Sequence, residues 1–205
     1  SAGFSTGEAV NWLSLARVFL FSARDVWFVV GVPLYFYGVW SDGSDAGNKA
    51  AFFMIGSFMA LWVIGYGIVQ GSAPKILARL PVQSAFALAM LLAFVPLILA
   101  IVLWLSSSTV TPFVVIGLFV FGFGFALNSA LHSFLILSFS TDARVSMDVG
   151  FYYMANAIGR LLGTLLSGVL YQWGSLTLCL FGSFVSLAIC SAITWRLPKD
   201  NISLK

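Results

Sequence analysis

The chain has 205 residues, of which 60% are hydrophobic and only 8% charged, and its mean hydropathy is +1.02. A soluble domain normally carries about 25% charged residues, so this composition excludes a water-covered globular protein and favours the lipid bilayer as solvent. The net charge of +3 comes without a basic stripe interleaved with aromatic residues, so no nucleic-acid partner is predicted.

Six apolar segments are each long enough to span a bilayer core, which requires roughly 20 helical residues. They are too rich in Leu, Ala, Phe and Gly, and alternate too little, to be barrel strands. The fold class predicted is therefore an all-α membrane protein, with a six-transmembrane-helix bundle over 1–196 and a cytoplasmic tail over 197–205. The spans are predicted at 11–40, 50–71, 84–105, 112–137, 149–171 and 176–196.

The cations between the spans are distributed unequally. Lys49 would lie on one side of the membrane, and six cations on the other: Lys75, Arg79, Arg144, Arg196, Lys199 and Lys205. Because cytoplasmic loops are enriched in Lys and Arg, both ends of the segment are expected in the cytoplasm, and the protein is expected in a bacterial inner membrane.

The first span contains Arg17, Arg24 and Asp25. Arg17 and Arg24 are seven residues apart and differ by only ~20° around a helix, and Tyr35 falls on the same side. An arginine at the middle of a span costs about 2.5–3.5 kcal/mol on insertion scales. Either Arg24 and Asp25 form a clamp to other helices, or Arg24 faces a cavity and binds an anion through its planar guanidinium.

The fifth span repeats this pattern around Arg160. A polar stripe at steps of three and four residues comprises Tyr153, Asn156, Arg160, Thr164 and Ser167. An adjacent face carries Gly159, Gly163 and again Ser167, and this spacing favours close helix packing. Asp25 is the one acid well inside a predicted span and cannot neutralise two central arginines. This excess of positive charge predicts an anionic ligand.

The fourth span places Asn128 and His132 on one face. His132 is either a donor to substrate or a proton relay, or it is satisfied by a hydrogen bond between helices. Cys179 and Cys190 would stand about 16 Å apart on one helix, too far to bond each other. The sequence shows no catalytic motif or metal-ligand spacing, so neither an enzyme nor a cofactor is predicted.

Several of these stretches resemble a known transporter family. The NxxxR pattern followed by Leu-Leu-Gly in the fifth span resembles the C-terminal half of major facilitator superfamily transporters. The stretches NWLSLARVFLFSARDVWFVVGVPLYF (11–36) and LWVIGYGIVQGSAPK (61–75) are similar to the ArsJ-type organoarsenical efflux permeases. The resemblance implies one half of a twelve-helix fold, with the N-terminal six-helix half as partner, in the same polypeptide or in a second chain. Lys75 stands where the superfamily's loop signature has an acid, which puts that loop's usual latch in doubt.

The resemblance also implies export of 1-arseno-3-phosphoglycerate, an ester formed when glyceraldehyde-3-phosphate dehydrogenase uses arsenate instead of phosphate, by alternating access across the bilayer. The alternatives are another organic anion, such as a sugar phosphate or a carboxylate, or a non-catalytic membrane scaffold. In the transport interpretation Arg24 and Arg160 bind the anion, Arg17 attracts it at the cytoplasmic mouth, and Asp25 takes up the coupling proton. The residues expected to orient the substrate are Tyr35, Asn128, His132, Tyr153 and Asn156.

Overall fold

The structure, a computed structural model, describes residues 6–77, 82–106, 110–141 and 143–198, and these ranges contain helices and no strand. The side chains of Thr6 and Ile76 are also outside the description, as are the predicted loop cation Arg79 and the tail cations Lys199 and Lys205. The helices are α1 (Thr6–Phe28), α2 (Gly31–Trp40), α3 (Asp45–Leu77), α4 (Ser84–Leu105), α5 (Thr111–Phe139) and α6 (Val145–Thr194).

The first predicted span is divided into α1 and α2 by a break at Val29 and Val30. Pro33 explains it, because a proline has no amide hydrogen and its ring clashes with the carbonyl four residues earlier, here that of Val29. The amide of Val29 still reaches the Asp25 carbonyl at 3.4 Å, and Leu34 donates to Val30 at 3.1 Å. The break is thus a local kink, and hydrogen bonds of helical spacing continue from α1 across it into α2.

The chain reverses direction within α6. Gly174 and Ser175 have non-helical dihedral angles, and Ser175 has a φ of +56°. In a straight helix residues twelve apart would be about 18 Å from each other. Yet the Cys179 thiol donates to the Ser167 carbonyl at 3.5 Å. The residues before and after this turn, 145–173 and 176–194, therefore form an antiparallel helical hairpin.

Contacts along α5 establish how the helices run. Towards the C-terminal end of α1, the contacts with α5 move towards the N-terminal end of α5: Arg17 reaches Ser129, and Trp27 stacks edge-on against Phe121. α1 and α5 are therefore antiparallel. α4 and α5 are antiparallel as well, since Asn128 contacts Leu88 and Gly117 contacts Leu99.

The small residues of α6 lie where α1 approaches most closely. A Cβ added at Gly163 would lie 2.7 Å from the Ser22 carbonyl oxygen, and one at Gly159 would clash with the Val18 backbone. The Ser167 hydroxyl accepts a hydrogen bond from the Gly31 amide at 3.3 Å. The prediction that these small residues serve close packing is confirmed.

By length and composition α3, α4, α5 and α6 could each cross a membrane. α1 is more polar because of Arg17, Arg24 and Asp25, and α2 has only ten residues. Large apolar side chains of α3 are exposed, among them Phe52 and Phe53 at 72% and 74%. This arrangement suits a helical, multi-pass membrane protein, whose outer surface must be apolar.

At two places the helical or packed structure extends beyond a predicted boundary. α3 continues through Pro74 to Leu77, six residues beyond the predicted end of the second span. Leu197, placed in the tail by the sequence, is 5% exposed and packs with Leu77 and Val82 in an apolar cluster. Its amide also donates to the Thr194 carbonyl at 3.1 Å, which adds a turn after α6, and its apolar packing holds this turn against the bundle.

Candidate functional site

Asp25 lies at the centre of an ion cluster that joins α1 and α6, and we refer to Asp25, Arg24 and Arg160 as the Asp25 cluster. Arg24 Nε donates to Asp25 Oδ1 at 2.5 Å, and Arg160 Nε to Asp25 Oδ2 at 3.4 Å. The Asp25 side chain is 2% exposed. Each carboxylate oxygen thus faces a different guanidinium, and within the described ranges both arginines depend on one acid.

The two arginines of the cluster differ in exposure. The Arg24 side chain is 14% exposed and its Cζ lies 5.0 Å from the ring centre of Phe21 and 5.1 Å from that of Phe125. The Arg160 side chain is 60% exposed. Arg24 is thus enclosed by protein on several sides, whereas most of Arg160 is open to whatever covers this face of α6. Of the two, Arg160 is the one that an incoming solute can reach directly.

The other polar residues predicted on α6 divide between the surface and the interior. Tyr153 is 60% exposed, on the same helix as Arg160 and two turns before it. Asn156 lies between them and is half-buried, and its side-chain oxygen has no hydrogen-bond partner among the described residues. Tyr153, Asn156 and Arg160 therefore form a polar strip beside exposed leucines such as Leu161 and Leu165.

Arg17 lies inside the bundle, not at an open mouth. It is 3% exposed and donates from Nη1 to the Ser129 carbonyl at 2.9 Å. Its Cζ stands 4.1 Å from the ring centre of Phe21 and 4.6 Å from that of Tyr152. Two aromatic rings and a carbonyl stabilise this buried cation. In the conformation described, Arg17 is not accessible to a solute.

The predicted face shared by Arg17, Arg24 and Tyr35 does turn towards α5. Arg17 donates to the Ser129 carbonyl and Arg24 lies over the Phe125 ring, and both partners are on α5. The Tyr35 hydroxyl contacts the Thr111 hydroxyl at 3.2 Å, at the N-terminal end of α5. Eleven residues of helix place Tyr35 roughly 16 Å from Arg24 along the axis. The structure thus does not bring Tyr35 to the Asp25 cluster.

Asn128 and His132 are both fully buried on α5. The Asn128 amide donates to the Leu88 carbonyl at 3.2 Å and to the Gly124 carbonyl at 2.9 Å, which links α4 with α5. Neither ring nitrogen of His132 meets a hydrogen-bond partner in the described part of the chain. The described residues thus do not supply the interhelical hydrogen bond that was one sequence-based alternative for His132, and in this conformation neither residue faces a surface.

Sequence reasoning missed Tyr152. This tyrosine is 1% exposed, stacks with Arg17 and contacts the Ser133 hydroxyl at 3.1 Å. The sequence does contain a signal, because Tyr152 precedes the small-residue face of α6 at helical spacing: Ala155, Gly159, Gly163 and Ser167 follow at steps of three and four. A residue on the packed face of a helix is buried, so Tyr152 points inward where its neighbour Tyr153 points out.

The arrangement can bind and hold an anion, and it offers little for covalent chemistry. Three guanidiniums and one carboxylate leave two positive charges in excess at Arg17, Arg24, Arg160 and Asp25. Within the described ranges no three His, Cys, Asp or Glu side chains stand close enough to hold a metal ion. Cys179 and Cys190 are both buried free thiols, as the predicted separation on one helix implied.

Comparisons with protein-family models, with curated proteins and with solved structures find no match for this chain. No related protein therefore supports the description of the fold and the site, and the transporter resemblance stays a prediction.

Proposed function

We propose that the chain is a six-span half of a membrane carrier that exports an organic anion by alternating access. In this topology α1 and α2 form one kinked span and the two arms of α6 form two. α1 and α4 both run antiparallel to α5, as the first, third and fourth of six successive spans must. The apolar outer face of α3 also supports this topology. The second half of the carrier, a six-helix partner in the same or a separate chain, would cover the polar strip of α6.

The observation that carries the proposal is the single Asp25 carboxylate facing two guanidiniums. A purely structural clamp would pair each cation within a membrane span with its own acid, since an unpaired charge away from water is costly. Here Arg160 has one contact of 3.4 Å to an acid that already holds Arg24 at 2.5 Å. An anionic ligand at the exposed side of Arg160 would balance the positive charge that the Asp25 carboxylate does not neutralise.

The substrate we favour is 1-arseno-3-phosphoglycerate, whose export would confer arsenate resistance. Its phosphate and arsenate groups suit guanidinium donors, which bind tetrahedral oxyanions through two hydrogen bonds. Tyr153 and Asn156, on the same helix as Arg160, would orient the molecule by hydrogen bonds. Arg17, Tyr35, Asn128 and His132 would act only after a rearrangement that opens the α1–α5 interface.

Asp25 supplies a route to proton coupling. When an anion engages Arg24 and Arg160, both guanidiniums turn part of their hydrogen bonding away from the carboxylate, and Asp25 becomes the group that gains a proton. An Asp25→Asn variant removes this exchange. Transport that keeps its full dependence on pH in that variant would eliminate Asp25 as the coupling residue.

The central experiment measures export in bacterial cells that carry the full-length protein. Arsenate tolerance and efflux of the arsenylated ester are compared for wild type, Arg160→Ala and Arg24→Ala, with Arg144→Ala as the matched control. Arg144 is an exposed cation outside the helices, so its loss should leave export unchanged. We expect both cluster variants to insert into the membrane and to lose export at least tenfold, the equivalent of about 1.4 kcal/mol in binding.

The same variants separate the rival interpretations. Full export by Arg160→Ala would remove the anion site. Normal stability and no binding of any anion would support a scaffold. To test another cargo, the purified wild type is heated with 3-phosphoglycerate, a sugar phosphate or a dicarboxylate. A rise in melting temperature that Arg160→Ala abolishes identifies the anion class, because a ligand stabilises only the state it binds.

A further inference from the structure

A second group of buried polar atoms lies on α1 and α5, outside the Asp25 cluster. Ser14 is 1% exposed, and Ser129 and His132 are 0% exposed. The Ser14 hydroxyl, the Ser129 hydroxyl and both His132 ring nitrogens have no hydrogen-bond partner among the described residues. We call these three residues the His132 group. None of them contributes to the ion cluster, and two of them, Ser14 and Ser129, were not singled out by the sequence.

The antiparallel contact of the two helices brings these residues to one level. Arg17 on α1 bonds the Ser129 carbonyl on α5. Ser14 lies three residues before Arg17, and His132 three residues after Ser129, which is about one helical turn in each case. Because the helices run in opposite directions, both steps lead the same way along the bundle. Ser14 therefore lies at the level of His132, with Ser129 one turn away.

Four unpartnered polar atoms at neighbouring levels of two adjacent helices call for a polar ligand. A buried hydroxyl or ring nitrogen without a partner destabilises the folded state, and nearly all such groups in folded proteins are hydrogen-bonded to protein or to ordered water. Neutral imidazole offers one donor and one acceptor, and each serine hydroxyl offers both. This mixture does not select an anion or a cation, but it matches water, which donates two hydrogen bonds and accepts two.

We propose that the α1–α5 interface holds internal water, bound between His132, Ser14 and Ser129. The unpartnered Nε of Arg17 borders the same region and is a further donor. Internal waters typically make about three hydrogen bonds, a number these residues supply. The water joins α1 and α5 through hydrogen bonds, which can break and re-form while the apolar packing of the two helices stays intact. The inference stands independently of the transported substrate.

The chain offers a direct test because His132 is its one histidine. The full chain, with ¹⁵N-labelled histidine, is placed in phospholipid bilayers, and magnetisation is transferred from water protons to nitrogen in solid-state NMR. Both imidazole signals then belong to His132 without assignment work. We expect rapid transfer from water to the imidazole, together with nitrogen shifts typical of hydrogen-bonded nitrogens.

Variants distinguish bound water from general exchange. Ser14→Ala together with Ser129→Ala should lower the transfer rate several-fold. Ser186→Ala should leave it unchanged, because the Ser186 hydroxyl is already bonded to the Gly182 carbonyl within its own helix. No transfer in the wild type, or hydrogen-bonded shifts without transfer, would overturn the proposal and indicate direct bonds to the serines. If the double variant does not fold, the wild-type spectrum alone decides.

Discussion

Gly163 packs directly against Asp25. A Cβ built on Gly163 would lie 2.9 Å from Cβ of Asp25 and 2.7 Å from the carbonyl oxygen of Ser22. The close approach of α1 and α6 at this point is what allows Arg160, one turn earlier on α6, to reach a carboxylate on another helix. The small-residue face of α6 and the Asp25 cluster are therefore parts of one arrangement: glycine sets the helix separation, and the separation sets the ion pair.

We predict that Gly163→Ala destabilises the protein. The added methyl meets backbone that cannot rotate away, and overpacking of this kind costs about 1–3 kcal/mol, more than the ~1 kcal/mol that alanine gains in a helix. The control is Gly168→Ala, five residues later on the same helix, where a Cβ would meet nothing within 4 Å. Reversible unfolding in mixed micelles should show a loss for Gly163→Ala and no loss for Gly168→Ala. Equal stabilisation of both variants would contradict the close contact.

The second prediction concerns how Asp25 divides its interaction between two arginines. A double-mutant cycle should give an Asp25–Arg24 coupling of about 1–3 kcal/mol, because the pair is enclosed. The Asp25–Arg160 coupling should stay below about 1 kcal/mol, because that contact is longer, at 3.4 Å, and the Arg160 side chain is 60% exposed. Asp25→Ala alone should cost about 3 kcal/mol, since it leaves Arg24 without its acid.

The free energy of unfolding of Asp25→Ala, Arg24→Ala, Arg160→Ala and the two double variants supplies this cycle. Arg144→Ala combined with Asp25→Ala is the matched control and should show no coupling, because distant sites are additive. A larger coupling for Arg160 than for Arg24 would mean that the Asp25 carboxylate interacts mainly with the guanidinium of α6, which would contradict the prediction.

Local spacing predicted part of this site. The seven-residue separation of Arg17 and Arg24 fixes their common face on any helix, and both side chains do lie over Phe21. The glycine face of α6 was equally readable, since Gly159 and Gly163 are separated by one turn. Pro33 indicates a break in the first span, because proline interrupts helical hydrogen bonding. The predicted span 11–40 includes Pro33 and did not allow for this kink.

What the sequence could not supply is the pairing of distant segments. Arg160 and Asp25 are 135 residues apart, and only the depth and rotation of α6 against α1 decide that they meet. The same rotation decides that Tyr152 is buried and Tyr153 exposed, although the two have the same chemistry. The unpartnered state of His132 depends on which atoms of α1 lie opposite, so periodicity within α5 did not reveal it.

The third prediction tests whether Arg17 is a structural clamp. Arg17→Met keeps most of the side-chain volume and removes a buried cation, so we expect the free energy of unfolding to change by less than about 1 kcal/mol. The Ser129 carbonyl keeps a donor in this variant, since the Ser133 hydroxyl also bonds it at 3.0 Å. Arg17→Ala should lose about 2–3 kcal/mol, because it leaves a cavity beneath the Phe21 and Tyr152 rings. Unfolding in micelles compares the two, and a loss above 3 kcal/mol for Arg17→Met would make the charge itself the clamp.

The last prediction concerns the turn between the two arms of α6. Ser175 has φ +56° and ψ −158°, a region that glycine occupies freely and other residues occupy at a cost of about 1–3 kcal/mol. Ser175→Gly should therefore raise the free energy of unfolding by about 1 kcal/mol, partly offset by the greater freedom of glycine in the unfolded chain. Ser57→Gly is the matched control, because Ser57 is an exposed residue inside α3, where the same substitution should lower stability by up to about 1 kcal/mol. Melting curves of the two variants should thus shift in opposite directions. A downward shift for both would mean that Ser175 is not strained and that the hairpin closes through a different turn.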